Sequence, residues 1–563
     1  MAVLLLVSVA CTGTPEARHR EGKGGKHYGG VFNANESDEL RSLFPLSLLQ
    51  ASSHRIGAQL FEGLVRFDQS DLSVQPALAA SWQIDASGTV YTFSLRKGVR
   101  FHDDPCFEDG IGREVQAADV VHCFEALCAF SELNQMFWLF QDKVLGANAH
   151  FAASANDEAP GGVKGLEVLD PYTLRITLLN PWPGFLQVLA HQGCWIWPKE
   201  AVEHYAKEVH WHPVGTGPFR LKAFRKGEAL IMERNPHYWE VDEAGNRLPF
   251  LDAIRYTFLQ DKGKELDEFE KGHLSVIYEL PIDRTEILRT GADKGFQVQS
   301  VPGLTVQYYG FNMRKEPFKD KRIRQAFSLA IDRQLLVDSV LGGLAIAADR
   351  GVVPPGFSQY PYDTVPPTTY DPDKARALLA EAGHPDGKDL PAVFLQVNNN
   401  GFGYVRVAGV LQGMLERELG ARVVSSVLPA EQHFDRVERG DVAFWREGWV
   451  ADHPDPENFL ALFYGKNAPL DSLAPATMNS TRYRNAEFDS LYVLAQRTTE
   501  PAERMLLLAK AERRLMSDVV VIPLYFERSI RLLQPWVMDL PINGMEYRAL
   551  GPVWFDPARR PDH

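Results

Sequence analysis

Apolar and polar residues alternate along several short stretches of the chain. In "TVYTFSL" (89–95) aromatic and leucine side chains occupy alternate positions, with hydroxyl side chains between them. "TLRITLL" (173–179) repeats the pattern with leucine and isoleucine. A period of two residues predicts half-buried β-strands at both places.

Other stretches have the period of an amphipathic helix. In "DPDKARALLAEAGHP" (371–385) Asp371 stands at the N-cap position and Pro372 at the first helical position, and a glycine and a proline end the pattern. "KRIRQAFSLAIDRQLLVDSVLGG" (321–343) is predicted as a single helix that ends at a glycine pair, and a further helix is predicted near 501–517. Strands interleaved with helices predict an α/β fold.

Length and charge narrow the class of protein. A chain of 563 residues, 45% of them hydrophobic, is globular in composition and long enough for more than one hydrophobic core. The formal net charge of −14 argues against nucleic acid as a partner. No run of about 18 apolar residues is present, so no membrane-spanning segment is predicted.

The first eleven residues, "MAVLLLVSVAC", are typical of the apolar part of an export signal. "SVAC" resembles the processing site of bacterial lipoproteins, where the cysteine is acylated, although Ser8 stands where leucine is usual. Cys11 is therefore the predicted lipid attachment site, and the glycine-rich residues 12–27 are the predicted flexible tether. The alternative is a frayed cytosolic terminus. The charged segment that usually precedes such a run is missing, which leaves open whether Met1 is the true start.

Four further cysteines give a weaker indication of export. In an oxidising compartment some of Cys106, Cys123, Cys128 and Cys194 should pair, although spacing does not give the connectivity. Buried free thiols are the alternative. None of the cysteines forms a CxxC pair, so neither a zinc site nor a redox dithiol is expected.

The common catalytic signatures are missing from the sequence: no GxSxG, HExxH, P-loop or GxGxxG motif occurs. "HWH" (210–212) is a possible metal pair, but it lacks a third ligand nearby and is expected to have a surface or capping role. Asp452 and Asp455 are a possible acid/base pair like that of glycosidases. Solvated or capping carboxylates are the alternative, and no enzyme activity, cofactor or metal is expected.

Several stretches, read in order, resemble one protein family. They are "LFEGLVRFD" with "QPALAASWQIDASGTVYTFSLRKGVRFHD" (60–103), "AADVVHCFEAL" (117–127), "HPVGTGPFRLKAFRKGEALIMERNPHYW" (212–239), "YYGFNM" (308–313), "RIRQAFSLAIDRQLLVDSVLGG" (322–343) and "GWVADHPDPENFL" (448–460). The family is that of the extracellular solute-binding proteins of peptide-type ABC importers, solute-binding family 5. The resemblance covers nearly the whole chain from about Tyr28.

This resemblance implies a periplasmic-binding-protein-like α/β fold, with two lobes around a ligand cleft and a subdomain inserted into the first lobe. The expected segments are 1–11 for the export signal, 12–27 for the tether, 28–61 with 213–303 and 523–563 for the core of lobe I, 62–212 for the inserted subdomain, and 304–522 for lobe II. The lobes are expected to close on the ligand by hinge bending. Peptide binders of this kind pair with the ligand main chain as with an added strand.

The family also implies a role for the 448–460 stretch, which places Trp449, two acids and two prolines directly after an apolar run. In the family's peptide binders, the acid at the position of Asp452 takes the α-ammonium of the ligand. Pro454 and Pro456 would stiffen the loop, and Trp449 would form an apolar wall beside the first ligand side chain. The resemblance therefore assigns Asp452 and Trp449 to the ligand site.

One departure from the family lies in "VNNNGFG" (397–403). Dipeptide binders tend to carry an arginine here that clamps the ligand carboxylate, whereas the equivalent residue in this chain is Asn398. Asn398 and Asn399 are candidates to donate to a ligand carbonyl, although an asparagine run is more often turn chemistry. Longer peptides are therefore favoured over dipeptides. The acidic stretch 103–116, which is longer than the matching family turn, receives no functional assignment.

The leading expectation is a monomeric receptor at the periplasmic face of the cell envelope, held there by a lipid anchor on Cys11, which delivers oligopeptides to ABC permease subunits. A first alternative keeps the fold and changes the ligand to a nickel complex, a sugar, glutathione or an opine-like compound. A second alternative is a hydrolase that uses Asp452 and Asp455, and a third is a partner of a membrane sensor.

Overall fold

A computed structural model describes residues 20–37, 40–156, 158, 161–281, 284–357, 359–399, 403–471 and 474–560. Cys11 lies outside these residues.

The strands are β1 (Arg20–Glu21), β2 (His27–Tyr28), β3 (Val31–Asn35), β4 (Val65–Phe67), β5 (Val74–Pro76), β6 (Ala79–Ile84), β7 (Val90–Leu95), β8 (Leu166–Asp170), β9 (Thr173–Thr177), β10 (Phe219–Arg225), β11 (Ala229–Arg234), β12 (Ala253–Thr257), β13 (Val276–Tyr278), β14 (Gln297–Pro302), β15 (Thr305–Phe311), β16 (Ala345–Ala347), β17 (Val393–Asn398), β18 (Val423–Leu428), β19 (Phe444–Val450), β20 (Val521–Leu533), β21 (Val537–Met538) and β22 (Trp554–Phe555).

The helices are α1 (Ala51–Gly57), α2 (Ala117–Leu127), α3 (Ala147–Ala155), α4 (Phe185–Leu189), α5 (Lys199–Tyr205), α6 (Lys262–Glu270), α7 (Ile287–Thr290), α8 (Lys321–Leu329), α9 (Arg333–Ser339), α10 (Pro372–Glu381), α11 (Tyr404–Leu419), α12 (Ala430–Glu438), α13 (Glu457–Leu460), α14 (Ala486–Arg497) and α15 (Pro501–Asp518).

Two four-stranded sheets share the largest hydrophobic core. One has the order β10-β11-β12-β3, with β12 and β3 parallel, and the other is an antiparallel sheet of order β6-β7-β9-β8. Their core runs from Phe32 to Tyr256 and is completed by the C-terminal residues Leu533 to Phe555. We call this part of the molecule lobe I.

An eight-stranded mixed sheet extends from lobe I, where it includes β13, β14 and the end of β20, into the second part of the molecule, lobe II. Its order is β13-β20-β15-β19-β17-β18, with β14 and β16 also paired to β20. Lobe II has two large hydrophobic clusters. One includes Tyr309 and Phe444, and the other includes Tyr308 and Phe459. Because successive residues of a strand point to opposite faces, Tyr308 and Tyr309 place these cores on the two sides of β15.

Two segments connect the lobes side by side. The chain passes from β14 to β15 through Gly303 and Leu304, and β20 pairs with β15 near Tyr525 and with β14 from Arg528 onward. The backbone of Gly303 donates to the carbonyl of Glu527 at 2.9 Å. The lobes are therefore joined by paired, extended backbone.

The strand predictions for 89–95 and 173–179 are confirmed as β7 and β9. Helix α10 begins as expected, since the Asp371 side chain accepts a hydrogen bond from the backbone nitrogen of Lys374 at 3.0 Å. The single helix predicted over 321–343 is wrong. The chain breaks between α8 and α9, where the Asp332 side chain accepts from Leu335 N at 3.0 Å and starts a second helix.

The glycines of "GTGPFRL" have a packing role. A Cβ atom on Gly215 would lie 2.1 Å from the carbonyl oxygen of Leu60, and one on Gly217 would lie 2.6 Å from that of Gln59. The backbone at Gly215 and Gly217 therefore lies closer to the backbone of residues 59–60 than a residue with a Cβ atom would permit. Pro218 then leads into β10.

The structure also describes several minor features that the sequence analysis singled out. Among the described residues the four cysteines are free thiols, which supports the alternative without disulfides. His210 contacts the Ser42 hydroxyl at 2.8 Å, and His212 stacks on Tyr205 with ring centroids 4.1 Å apart. The described part of the chain holds no group of three or more His, Cys, Asp or Glu arranged for a metal ion. Residues 20–27, within the expected tether, form the short β1–β2 hairpin.

Candidate functional site

The loop that joins β19 to α13 holds the two acids and two prolines noted in the sequence. It begins where the backbone nitrogen of Ala451 donates to the carbonyl of Leu304, at 3.0 Å, so the loop is attached to the segment that connects the lobes. Asn458, in the first turn of α13, organises the other end. Its Oδ1 accepts from the Trp449 indole nitrogen at 2.6 Å and from the Asp452 backbone nitrogen at 3.2 Å.

Asp455 has a structural role in this loop. Both of its carboxylate oxygens accept from Arg504 of α15, at 2.7 and 2.9 Å, and one also accepts from the backbone nitrogen of Glu457 at 2.8 Å. The side chains of Asp455 and Arg504 are only 1% and 5% exposed. Arg504 thus occupies both carboxylate oxygens of Asp455, which argues against the alternative in which Asp452 and Asp455 act as an acid/base pair.

Glu457 is a second buried acid in the loop. Burial alone would raise its pKa, but contact with His453 and the Tyr492 hydroxyl, together with the charge of Arg504, lowers the pKa to about 2. His453 Nε2 lies 3.6 Å from Glu457 Oε2, and the Tyr492 hydroxyl donates to Glu457 Oε1. Glu457 therefore stays ionised with protein partners.

Asp452 differs from both of these acids. It is half-buried, its Oδ2 accepts only a long hydrogen bond of 3.3 Å from Asn458 Nδ2, and burial raises its pKa. Within the described residues, no Lys, Arg or His nitrogen lies within 4 Å of its carboxylate. Among the described residues the Asp452 carboxylate thus has no ion-pair partner within 4 Å, and the charge of Lys143 acts on it only from a greater distance.

The inserted segment of lobe I faces this carboxylate. Lys143, which follows α2 in that segment, has its pKa lowered by burial, while the charges of Glu457 and Asp452 oppose the shift. Its ammonium lies 4.7 Å from the ring centroid of Trp182 and donates to the carbonyl of Trp138 at 3.2 Å. The charges of Asp452 in lobe II and Lys143 in lobe I therefore act on each other.

Asn398 and Asn399 lie at the same edge of the lobe II sheet as the loop, because β17 and β19 are parallel neighbours. Their environments differ. Asn398 is 2% exposed and its Oδ1 accepts from Arg446 Nη1 at 3.2 Å, whereas Asn399 is exposed and its backbone nitrogen donates to Leu428 O at 3.1 Å. Asn398 thus positions an arginine.

Arg446 is a candidate that the sequence analysis missed. Its guanidinium stacks 3.4 Å from the ring centroid of Tyr404 and donates to Gln307 Oε1, and Gln307 in turn donates to Glu527 at 3.0 Å. Arg446 Nε and the Tyr309 hydroxyl are buried, have no hydrogen-bond partner among the described residues, and line the same small cavity. The only signal in the sequence was one arginine inside the apolar run "DVAFWRE".

A family model described as "Bacterial extracellular solute-binding proteins, family 5 Middle" matches residues 73–470, which is more than half of the chain. The chain belongs to solute-binding family 5. This confirms the family suggested by the six sequence stretches, and family 5 consists of solute-binding receptors. The predicted fold class is confirmed as well.

Relatives of family 5 match over almost the full length. The chain is 27% identical over 517 residues to the glutathione-binding protein GsiB of Salmonella paratyphi A, with 90% of this chain and 91% of GsiB covered. It is 26% identical over 519 residues to the periplasmic oligopeptide-binding protein OppA of Salmonella typhimurium, with 89% and 88% covered. The structure of Helicobacter pylori DppA in complex with the peptide STSA superposes with a TM-score of 0.74 at 24% identity, covering 94% of this chain and 98% of DppA.

These matches show the two-lobed fold of family 5 for this chain. None of the helices within the described ranges is both long enough and apolar enough to cross a bilayer. The predicted boundaries of the lobes and of the inserted subdomain stay predictions, as do the ligand roles of Asp452, Trp449, Asn398 and Asn399.

Proposed function

We propose that this protein is the extracytoplasmic receptor of an ABC importer and that it binds peptides in the cleft between its lobes. The peptide's α-ammonium group is held by Asp452. The observation that carries the proposal is the desolvated Asp452 carboxylate, which has no basic nitrogen within 4 Å among the described residues. An ammonium ion that enters the cleft would supply the close ion pair that Asp452 lacks among the described residues.

The surroundings of Asp452 support this role. Hydrogen bonds from Trp449 and Asp452 to Asn458 fix the loop before a ligand arrives, and the buried Asp455–Arg504 pair ties it to α15. A preformed loop loses little conformational entropy on binding. The half-buried Trp449 ring offers an apolar surface beside the ammonium position.

A second part of the ligand site lies around Arg446. Arg446 Nε and the Tyr309 hydroxyl are buried donors that lack an acceptor within the described residues. The cavity beside them has no room for a water molecule in this conformation, so a ligand carbonyl or carboxylate would reach them only after the surrounding side chains move. Asn398 then acts on the ligand through Arg446. The names of the relatives, which describe glutathione-binding and oligopeptide-binding proteins, fit a ligand with an ammonium end and carbonyl groups.

Calorimetric titration of the wild type and of Asp452→Asn with a tripeptide tests the proposal. The tripeptide is chosen by mass spectrometry of material released from the denatured protein. Asp452→Asn should weaken binding by about 100-fold or more, since stranding one member of a buried charge pair costs roughly 3–5 kcal/mol. N-acetylation of the peptide should weaken binding to the wild type to a similar degree, and the two losses should not add.

Asp363→Asn is the matched control, because Asp363 also lies in lobe II and its side chain is almost fully exposed. It should leave the affinity unchanged. Equal affinity of the wild type and Asp452→Asn for the free tripeptide would remove Asp452 from the site. Recovery of intact peptide after prolonged incubation distinguishes a receptor from a hydrolase.

We also place the protein at the periplasmic face of the cell envelope, as a monomer that delivers its ligand to ABC permease subunits. The names of its relatives include a periplasmic protein. Acylation of Cys11 would hold it at the membrane surface. The intact mass of the protein from its native cells tests the anchor, because an acylated Cys11 would be the first residue of the mature chain.

A further inference from the structure

A cavity of about 530 Å³ lies within lobe I, apart from the candidate peptide site. Its walls come from residues 58–77, 190–195, 218–248 and 539–552, and no residue between 304 and 522 lines it. The volume is in the range of about 300–1,000 Å³ that is typical of small-molecule sites. All of its lining residues therefore belong to lobe I.

Aromatic rings make up much of the wall, among them Phe61, Phe67, Trp195, Tyr238 and Tyr547. Aromatic faces carry partial negative charge and attract cations within about 6 Å of the ring centroid. A cavity built in this way favours a flat or cationic organic molecule over an inorganic anion.

The charged residues that line the cavity also favour a cation. Arg66 is the only basic residue among those that line the cavity, and it is already paired with Glu240 through two hydrogen bonds, one of 2.8 Å. Lys26 reaches Asp242 at 3.4 Å and Asp539 at 3.0 Å. Carboxylates at Glu62, Asp68 and Glu243 remain without an ion pair among the described residues.

Glu62 is the most informative of these acids. It lines the cavity while only 8% exposed, and no basic nitrogen of the described residues lies within 4 Å of it. Its carboxyl contacts the Thr216 hydroxyl at 2.8 Å, the Trp239 indole nitrogen at 3.1 Å and the Tyr238 hydroxyl at 3.1 Å. The Tyr238 hydroxyl also contacts Glu240 Oε2 at 3.0 Å, and its single proton cannot satisfy both carboxylates.

A proton on Glu62 would resolve this arrangement. Burial raises the pKa of Glu62 to about 7, although the hydrogen bond from Thr216 opposes the shift. A neutral Glu62 donates where Tyr238 cannot. A cation that enters the cavity can take the place of that proton, because it compensates the charge of Glu62 directly.

We propose that this lobe I cavity is a second binding site, which takes a small organic cation such as a primary amine or a guanidinium compound. The ammonium or guanidinium group is held by Glu62 and Asp68, and the carbon skeleton lies against Phe67 and Tyr547. The site acts independently of the peptide site, since the two share no residue.

Calorimetric titration of the full chain with agmatine at pH 7 tests the proposal, with glutarate and 1,5-pentanediol as anionic and neutral comparison compounds. Agmatine should bind, and the comparison compounds should not. Glu62→Gln and Asp68→Asn should each weaken agmatine binding by about tenfold or more, whereas Asp452→Asn should leave it unchanged. In buffers of different ionisation enthalpy, binding should release about half a proton, because a group with a pKa near 7 is half protonated at this pH.

Three results would overturn the proposal: no agmatine binding up to about 10 mM, equal binding of agmatine and pentanediol, or loss of binding in Asp452→Asn with none in Asp68→Asn. The last result would place agmatine in the peptide site. Asp68→Asn keeps the test valid if Glu62→Gln folds poorly, since Asp68 is only half-buried at the rim. Peptide binding by Asp452→Asn tests the peptide site alone, and agmatine binding tests the lobe I cavity alone. Either proposal can therefore be refuted without the other.

Discussion

The Asp455–Arg504 pair offers a quantitative test of how the candidate peptide loop is held. We predict that Arg504→Met destabilises the protein by roughly 3–5 kcal/mol, the cost of leaving one charge of a buried pair without its partner. Two observations place the pair in this class. Both side chains are at least 95% buried, and both carboxylate oxygens of Asp455 accept from the guanidinium, at 2.7 and 2.9 Å.

The measurement is urea unfolding followed by tryptophan fluorescence, with the free energy of unfolding taken from the linear region. The double variant Asp455→Leu/Arg504→Met should be clearly more stable than Arg504→Met, because removal of both charges leaves none stranded. Arg439→Met is the matched control. Arg439 pairs with Asp435 on the surface of α12, both side chains are about half exposed, and its removal should cost about 0.5 kcal/mol or less.

A loss below about 1 kcal/mol for Arg504→Met would refute this reasoning, and so would a double variant that is less stable than the single one. Either result would mean that the loop is held mainly by its apolar contacts. Phe459 and Leu460 are fully buried in the adjacent core and would then be the main anchors.

Two further predictions concern pH. Because burial raises the pKa of Asp452, the affinity for the tripeptide should begin to fall at a higher pH than it would with an ordinary aspartate, whose pKa is 3.8. Calorimetric titrations between pH 7 and 4 measure this affinity. A loss of affinity with its midpoint at or below pH 3.8 would contradict the prediction. The pKa of Glu62 is raised to about 7, so the folded state binds a proton more tightly than the unfolded state, and the stability that this proton provides is lost as pH rises from about 4.5 to about 7. Across this window the free energy of unfolding of the wild type should therefore fall by about 3 kcal/mol more than that of Glu62→Gln, because each unit of pKa corresponds to 1.36 kcal/mol. Urea unfolding at several pH values measures the difference. If the free energies of the two proteins change in parallel with pH, Glu62 does not titrate in this range.

The sequence predicted those parts of the fold that depend on local periodicity. Alternation located β7 and β9, and a capping aspartate followed by proline located α10. The break between α8 and α9 was missed because the apolar spacing continues through Asp332, which acts as an N-cap only once the chain turns. Hydrophobic spacing alone does not separate a helix interior from a cap.

The candidate site was predictable only in part, for a different reason. Asp452 stood out because the resemblance to family 5 assigned it a role, whereas its lack of a close ion pair depends on Arg504, which binds Asp455 instead. Asn398 is a clear case. Its position in the sequence indicated a ligand contact, but its side chain is turned toward Arg446, 48 positions along the chain, where it is buried. Contacts between distant residues of this kind carry no local pattern.

Both parts of the proposed peptide site are connected to the backbone that joins the lobes. Next to Asp452, the Ala451 nitrogen donates to the carbonyl of Leu304. In the other part, Arg446 is held by Gln307, which donates to Glu527, and the Glu527 nitrogen donates to the Thr305 hydroxyl at 3.1 Å. These contacts converge on residues 303–307 and 527, where β15 and β20 leave lobe II.

A rotation of the lobes changes the backbone angles at these connecting residues. Because the Asp452 loop and Gln307 are attached at that point, rotation also changes the positions of the Asp452 loop and the Arg446 guanidinium. A ligand that holds both groups in place therefore restricts the connecting segment directly, through Ala451 and Gln307. Short hydrogen-bonded links within lobe II therefore join both parts of the proposed peptide site to the segment that connects the lobes.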